Sequence, residues 1–158
     1  MGTVTNAQGS TSMTEATFSN SAASASGTLE LSSFAAQAAV PAGATINSVT
    51  YRVRSSIMVG SFQTPSSMVA TMNAELRSGA TVKATNSIKP AANVMGQENE
   101  FTVSGVTYAE LADLRIRFVM ANNGSAGISR AYGVDWGRVT VDYTATSGVS
   151  TTAFLPFF

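Results

Sequence analysis

The clearest order in this chain is an alternation of apolar and polar residues. Leu114, Ile116, Phe118 and Met120 share one side of an extended segment, and Arg115 and Arg117 take the other. A period of two is the spacing of a strand with one face in a core and one in water. Over Thr45 to Arg54, Val49, Tyr51 and Val53 alternate in the same way with Thr50, Arg52 and Arg54. Met68, Ala70, Met72, Ala74 and Leu76 repeat the pattern before Arg77, and Ser78-Gly79 then gives a tight-turn signal ahead of Ala80 to Ala84, so these segments predict a hairpin. Further strands are predicted from Thr28 to Phe34, before a turn at Pro41 to Gly43, and over Glu100 to Ser104. A closing strand is predicted from Ala131 to Ala145, where Val139, Val141 and Tyr143 oppose Thr140, Asp142 and Thr144.

Lys89 to Asn99, with Pro90, Asn93 and Gly96, reads as a loop, and Asn122 to Gly127 as a flexible connection. Thr107 to Asp113 is the one stretch that reads as a helical turn. Thr107 stands at the cap and Glu110 three residues on, the spacing of a capping box, and the turn is expected to cross one end of the fold. Six to eight short strands separated by Gly, Pro, Asn and Ser turns predict an all-β, antiparallel β-sandwich or jelly-roll-like domain with one short helix. The absence of a fixed repeat period disfavours a propeller or solenoid.

From residue 1 to 27 the apolar residues Val4, Met13 and Phe18 are too sparse to bury a face, so this segment is expected to be an extended N-terminal arm. Residues 28–146 form the expected sandwich domain. Residues 147–158 form an apolar C-terminal arm ending Phe154-Leu-Pro-Phe-Phe158, in which Pro156 favours an extended chain. The four large apolar side chains there would be a sticky tag in water, and burying three of them on a partner would contribute about 1.5–3 kcal/mol each.

Composition narrows the function classes. Charged residues make up only 11% of the 158, against about 25% in average soluble domains, and Ser and Thr together supply about a quarter of the chain in their place. That profile suits strands better than solvated helices. The formal net charge is zero and the nine basic residues are scattered, so no positive field gathers phosphates and nucleic-acid binding is not expected. No apolar run approaches the roughly 20 residues of a membrane helix, and the first residues lack the basic region and apolar core of a signal peptide, so synthesis in a cytoplasm and no membrane partner are expected. With neither His nor Cys, a Ser-His-Asp triad, a Cys-His dyad, a disulfide and a thiolate or imidazole metal site are excluded by inventory. No cofactor and no catalytic residue are expected.

The remaining candidates are few. Glu98 and Glu100 lie two apart and would point the same way in an extended segment, as a carboxylate pair or, more simply, as a solvated edge. Asp135 and Trp136 could form a sugar-stacking platform, or Trp136 could anchor the core between two sheets. Arg52 with Arg54, and Arg115 with Arg117, would make one basic stripe able to meet an acidic partner if their strands were neighbours; otherwise they are polar cover. The methionines at 58, 68, 72, 95 and 120 read as core filler.

Two stretches carry a family resemblance. Val40-Pro-Ala-Gly-Ala-Thr-Ile-Asn-Ser-Val-Thr-Tyr-Arg-Val-Arg54 resembles the opening of small bacteriophage virion β-sandwich proteins. Tyr108 to Phe118, followed by Val134-Asp-Trp-Gly-Arg-Val-Thr-Val-Asp-Tyr-Thr144, is similar to their closing pattern. The resemblance spans residues 40–145 and implies a capsid decoration (cement) protein or a tail-associated relative. It implies a virion location on the outer surface of the capsid, a homo-oligomer such as a trimer, and the major capsid protein or other virion proteins as partners. The C-terminal segment Phe154, Leu155, Pro156, Phe157 and Phe158, together with the four Arg residues, would then be the contact residues. A tail or neck component, a host-glycan-binding adhesin module using Trp136, and a carboxylate hydrolase are the competing readings.

Overall fold

The computed structural model describes residues 2–9, 16–20, 25–59, 70–88, 97–122 and 130–146. Among the described residues, nine strands and one 3-10 turn run in the order β1 (Gly2–Gly9), β2 (Ala16–Asn20), β3 (Ala25–Leu31), β4 (Thr45–Val59), β5 (Ala70–Ser78), β6 (Thr81–Ile88), β7 (Gln97–Val103), the 3-10 turn (Ala109–Asp113), β8 (Leu114–Asn122) and β9 (Arg130–Thr144). Every pairing is antiparallel. Sheet A has the order β1-β9-β4-β7, with β2 also on β9, and sheet B the order β3-β8-β5-β6. If β1 and β2 are counted as one broken strand, this interleaving of eight strands into two four-stranded layers is that of a jelly roll.

The apolar residues of the alternating segments form the interface between the layers. Val49, Tyr51, Val53, Val139, Val141 and Tyr143 come from sheet A, and Met72, Ala74, Leu76, Ile116, Phe118 and Met120 from sheet B, all at most 2% exposed. Met72 and Met120 thus fill the core, whereas the side chains of the other three candidate methionines lie outside the described residues. Tyr51 ties the layers together with its hydroxyl, which donates to the Ala74 carbonyl (3.1 Å) and accepts from Asn86 Nδ2 (2.6 Å) on sheet B. Burial holds that phenol above its usual pKa range. The sheets leave no room for a side chain at Gly137, where an added Cβ would stand 2.6 Å from Leu31 Cδ1 and 3.1 Å from Ile116 Cδ1.

Between β3 and β4, Ser33 and Ala35 adopt left-handed backbone (φ 64° and 50°) on either side of Phe34, which is 1% exposed. That conformation costs roughly 1–2 kcal/mol per non-glycine residue. Burying Phe34, at about 1.5–3 kcal/mol, offsets most of it. The turn at Pro41 to Gly43 closes with Ala44 N–H donating to the Pro41 carbonyl (3.1 Å).

Three expectations change. Residues 2–9 and 16–20, expected in an arm, are strands of sheet A paired with β9. β7 begins at Gln97, so the predicted loop stops short of Asn99. The predicted helical turn is a 3-10 turn of five residues. It packs against the β5–β6 hairpin, where Gly79 N–H donates to the Asp113 carbonyl (2.9 Å) and Ser78 Oγ to the Glu110 carbonyl (3.0 Å).

Candidate interaction surface

Because β4 and β8 lie in different sheets, the four Arg residues of the expected stripe face opposite sides of the molecule. They do not combine into one stripe. Their charges are also largely answered within the chain. Arg52 reaches Glu98 at 2.8 Å and Glu100 at 3.7 Å, and Arg54 reaches Asp135 at 3.2 Å. Register explains the geometry, since Arg52 and Arg54 stand opposite Glu100 and Glu98 on β7. The carboxylate pair is therefore a partner of Arg52 on the outer face of sheet A.

On the outer face of sheet B, Arg115 is held by Asp113 (2.8 Å to Oδ1) and Glu30 (2.8 Å). Hydrogen bonds from Arg115 hold the Asp113 carboxyl below its usual pKa, and those to Asp113 and then Glu30 hold the guanidinium above its own. Arg77 is bound to Glu75 at 3.1 Å. Arg117 lies in register between Glu30 on β3 and Glu75 on β5. Lys83 donates to Glu110 at 2.8 Å, and Thr107 N–H donates to the same carboxylate at 2.8 Å, which supplies the Glu110 side of the predicted capping box. The hydrogen bond from Lys83, then that from Thr107, lowers the Glu110 pKa to about 2.

Trp136 is not a core anchor. Asp135 is an extra residue in β9, because Trp136 pairs with Arg54 while Val134 pairs with the next residue of β4, Ser55. Such a bulge shifts the alternation by one. Val134 and Gly137 consequently point into the sandwich, and Trp136, half-buried, shares the outer face with Arg54. The same bulge separates β1, whose last residue pairs with Trp136, from β2, whose first pairs with Val134.

The residue that sequence reasoning passed over is Arg138. It pairs in register with Arg52 across β9 and β4, two like charges directly opposite each other. Among the described residues Arg138 meets no carboxylate; its guanidinium carbon lies 5.6 Å from the centre of the Trp136 ring, and its buried Nε has no hydrogen-bond partner. Beside this pair runs a row of threonines: Thr50 and Thr102 share a 2.9 Å hydrogen bond, and Thr140 stands in register with Thr50. The period-two pattern shows that Arg138 faces outward, but only strand order places Arg52 opposite it. Phe154, Leu155, Pro156, Phe157 and Phe158 lie outside the described residues.

No family model and no curated protein matches this chain. Solved structures of similar fold include viral capsid proteins and carbohydrate-binding modules. The VP2 subviral particle of infectious bursal disease virus superposes with a TM-score of 0.52 at 9% identity, over 89% of this chain and 33% of that one. The Gt strain of the same virus gives 0.48 at 11% identity, over 91% and 33%. A CBM4 domain gives 0.46 at 16% identity, over 90% and 94%. The chain thus spans about a third of the length of the viral chains it matches, and the VP2 likeness is one of fold.

Proposed function

We propose that the protein is a non-enzymatic structural component of a bacteriophage virion, and specifically a decoration protein that binds the outer surface of the capsid lattice and stabilises the shell. The observation that carries this reading is the position of the resembling sequence stretches. Val40 to Arg54 leads into and forms most of the first half of β4, and the closing pattern is the 3-10 turn, β8 and β9, so the shared residues are those that build the centres of both sheets. The jelly roll, a fold shared with the VP2 capsid protein, is compatible with that role. A shell-binding subunit stabilises its lattice by burying area that exists only in the assembled state. The apolar Phe154 to Phe158 segment is assigned to that contact, and the subunit is assigned a homo-oligomeric, trimeric state.

The test is co-sedimentation of the purified chain with shells that lack it and, separately, with tails. Saturable binding to shells at a fixed ratio, weakened by deleting residues 149–158, is the expected result. Binding to tails alone moves the protein to the tail or neck. Binding to neither overturns the virion reading.

A further inference from the structure

We propose that Ser55 and Asn99 form a water-binding site inside the sandwich, where a single ordered water bridges the Ser55 hydroxyl and the Asn99 amide. The inference is independent of the virion reading. It starts from a break in the inner pattern of sheet A. Paired across β4 and β7, the inward residues run Val49 with Val103, Tyr51 with Phe101, Val53 with Asn99, and Ser55 with Gln97. The first two rows are apolar or aromatic, and the last two bring in a hydroxyl and two amides. Apart from the tyrosines, Ser55 is the one fully buried polar residue among those described, at 0% exposed. Among the described residues its Oγ meets no hydrogen-bond partner, and neither does the buried Nδ2 of Asn99. Buried hydroxyls and amides are nearly always hydrogen-bonded, because an unpaired one bears its full desolvation cost.

Register sets the two groups at a bridging distance. Ser55 stands opposite Gln97 and Asn99 opposite Val53, so Ser55 and Asn99 are diagonal neighbours on the inner face. Diagonal residues on paired strands lie about 7–8 Å apart, with their Cβ atoms somewhat closer. A short hydroxyl and an amide projecting from such positions leave a gap that one water spans with two hydrogen bonds of about 2.7–3.0 Å. Gln97, directly opposite Ser55, brings a third polar side chain to the same corner, and a buried water needs two to four polar partners. Ser55 is also smaller than Val49 and Val53, which hold the same side of β4, so it frees volume in its row. Water suits the corner better than an ion does. The nearest charged residues of these strands, Arg52, Arg54, Glu98 and Glu100, take the opposite side of sheet A and pair there with other charges.

A high-resolution crystal structure of the full chain tests the site directly. The expected result is a water within about 3.2 Å of both Ser55 Oγ and Asn99 Nδ2. A dry contact there, or a Ser55 hydroxyl bonded to another protein group, overturns the proposal. In solution, water-proton magnetic relaxation dispersion counts the waters a protein holds for longer than it takes to tumble. Ser55→Val, which fills the place of the water, and Asn99→Leu, which removes the amide, are each expected to lower that count by one. Thr50→Val, on the outer face, is expected to leave it unchanged. A count that Ser55→Val and Asn99→Leu share with the wild type overturns the site, and a count lowered by only one of them overturns the bridge. Because the two side chains share one water, the unfolding constants of Ser55→Ala, Asn99→Ala and the double variant are expected to depart from simple multiplication by about threefold or more. Independent effects of the two substitutions would contradict the shared water.

Discussion

The inner faces of the two sheets are alike and the outer faces are not. Inside, both layers present alternating Val, Ile, Leu, Met and aromatic residues against each other. Outside, sheet B sets Arg117 between Glu30 and Glu75, and clasps Arg115 and Arg77 with carboxylates even though those two cations stand opposite each other. Sheet A sets Arg138 opposite Arg52, answers Arg52 with Glu98 and Glu100 on β7 and Arg54 with Asp135 on β9, and turns its one tryptophan outward. Among the described residues, then, each arginine on the outer face of sheet B stands beside or opposite a carboxylate, whereas Arg138 of sheet A stands against an indole. Exposed ion pairs contribute only about 0–1 kcal/mol each, so stability resides in the shared interior, which leaves the outer faces free to differ.

That division can be broken from the inside first. Phe118→Ala, at the centre of β8, is expected to lower unfolding stability by about 3–5 kcal/mol in urea denaturation, because Phe118 is fully buried and its removal leaves a cavity. An effect as small as that of an outer-face substitution would sink the claim that the interior carries the fold. Tyr51→Phe, which keeps the ring and removes the link to Ala74 and Asn86, is expected to cost about 1–2 kcal/mol by the same measurement.

The paired charges of sheet B add a pH signature. Glu110 is held below its ordinary pKa, so the folded state binds its proton less readily than the unfolded chain does. Its stabilising contribution is therefore complete above the ordinary value of 4.5 and is lost as pH falls towards about 2. Melting temperatures measured across that window should fall less steeply in Glu110→Gln than in the wild type. The smallest effects should be the most diagnostic of the comparison. Arg138→Gln is expected to stabilise by a few tenths of a kcal/mol through relief of the opposition to Arg52, and Arg117→Gln to destabilise by a similar amount through loss of attraction to Glu30 and Glu75. Equal signs for the two in thermal melts would mean that the faces do not differ as described.

The strands with a strong period of two were legible from residues alone, and so was the Glu110 capping interaction, because both depend on local spacing. β1 and β2 were not, since their Ser, Thr, Gly, Asn and Ala residues carry little apolar alternation and their place comes from backbone pairing with β9. Trp136 misled for a related reason: the bulge at Asp135 shifts the alternation along β9 and no turn residue announces it. The two Arg pairs looked like one stripe because alternation tells which side of a strand a residue takes, not which sheet the strand joins.

By itself, the sequence determined that this is an all-β domain with no His or Cys chemistry, and it determined which residues of β4, β5 and β8, and of β9 beyond its bulge, face inward, because burial of alternating apolar side chains is a local choice repeated along each strand. Only the tertiary structure decided that Arg52 and Arg115 lie on opposite sides, that Glu98 and Glu100 answer Arg52, and that Arg138 meets an indole and, among the described residues, no carboxylate. Those facts depend on strand order and on one bulge, which are set by long-range pairing that no single segment encodes.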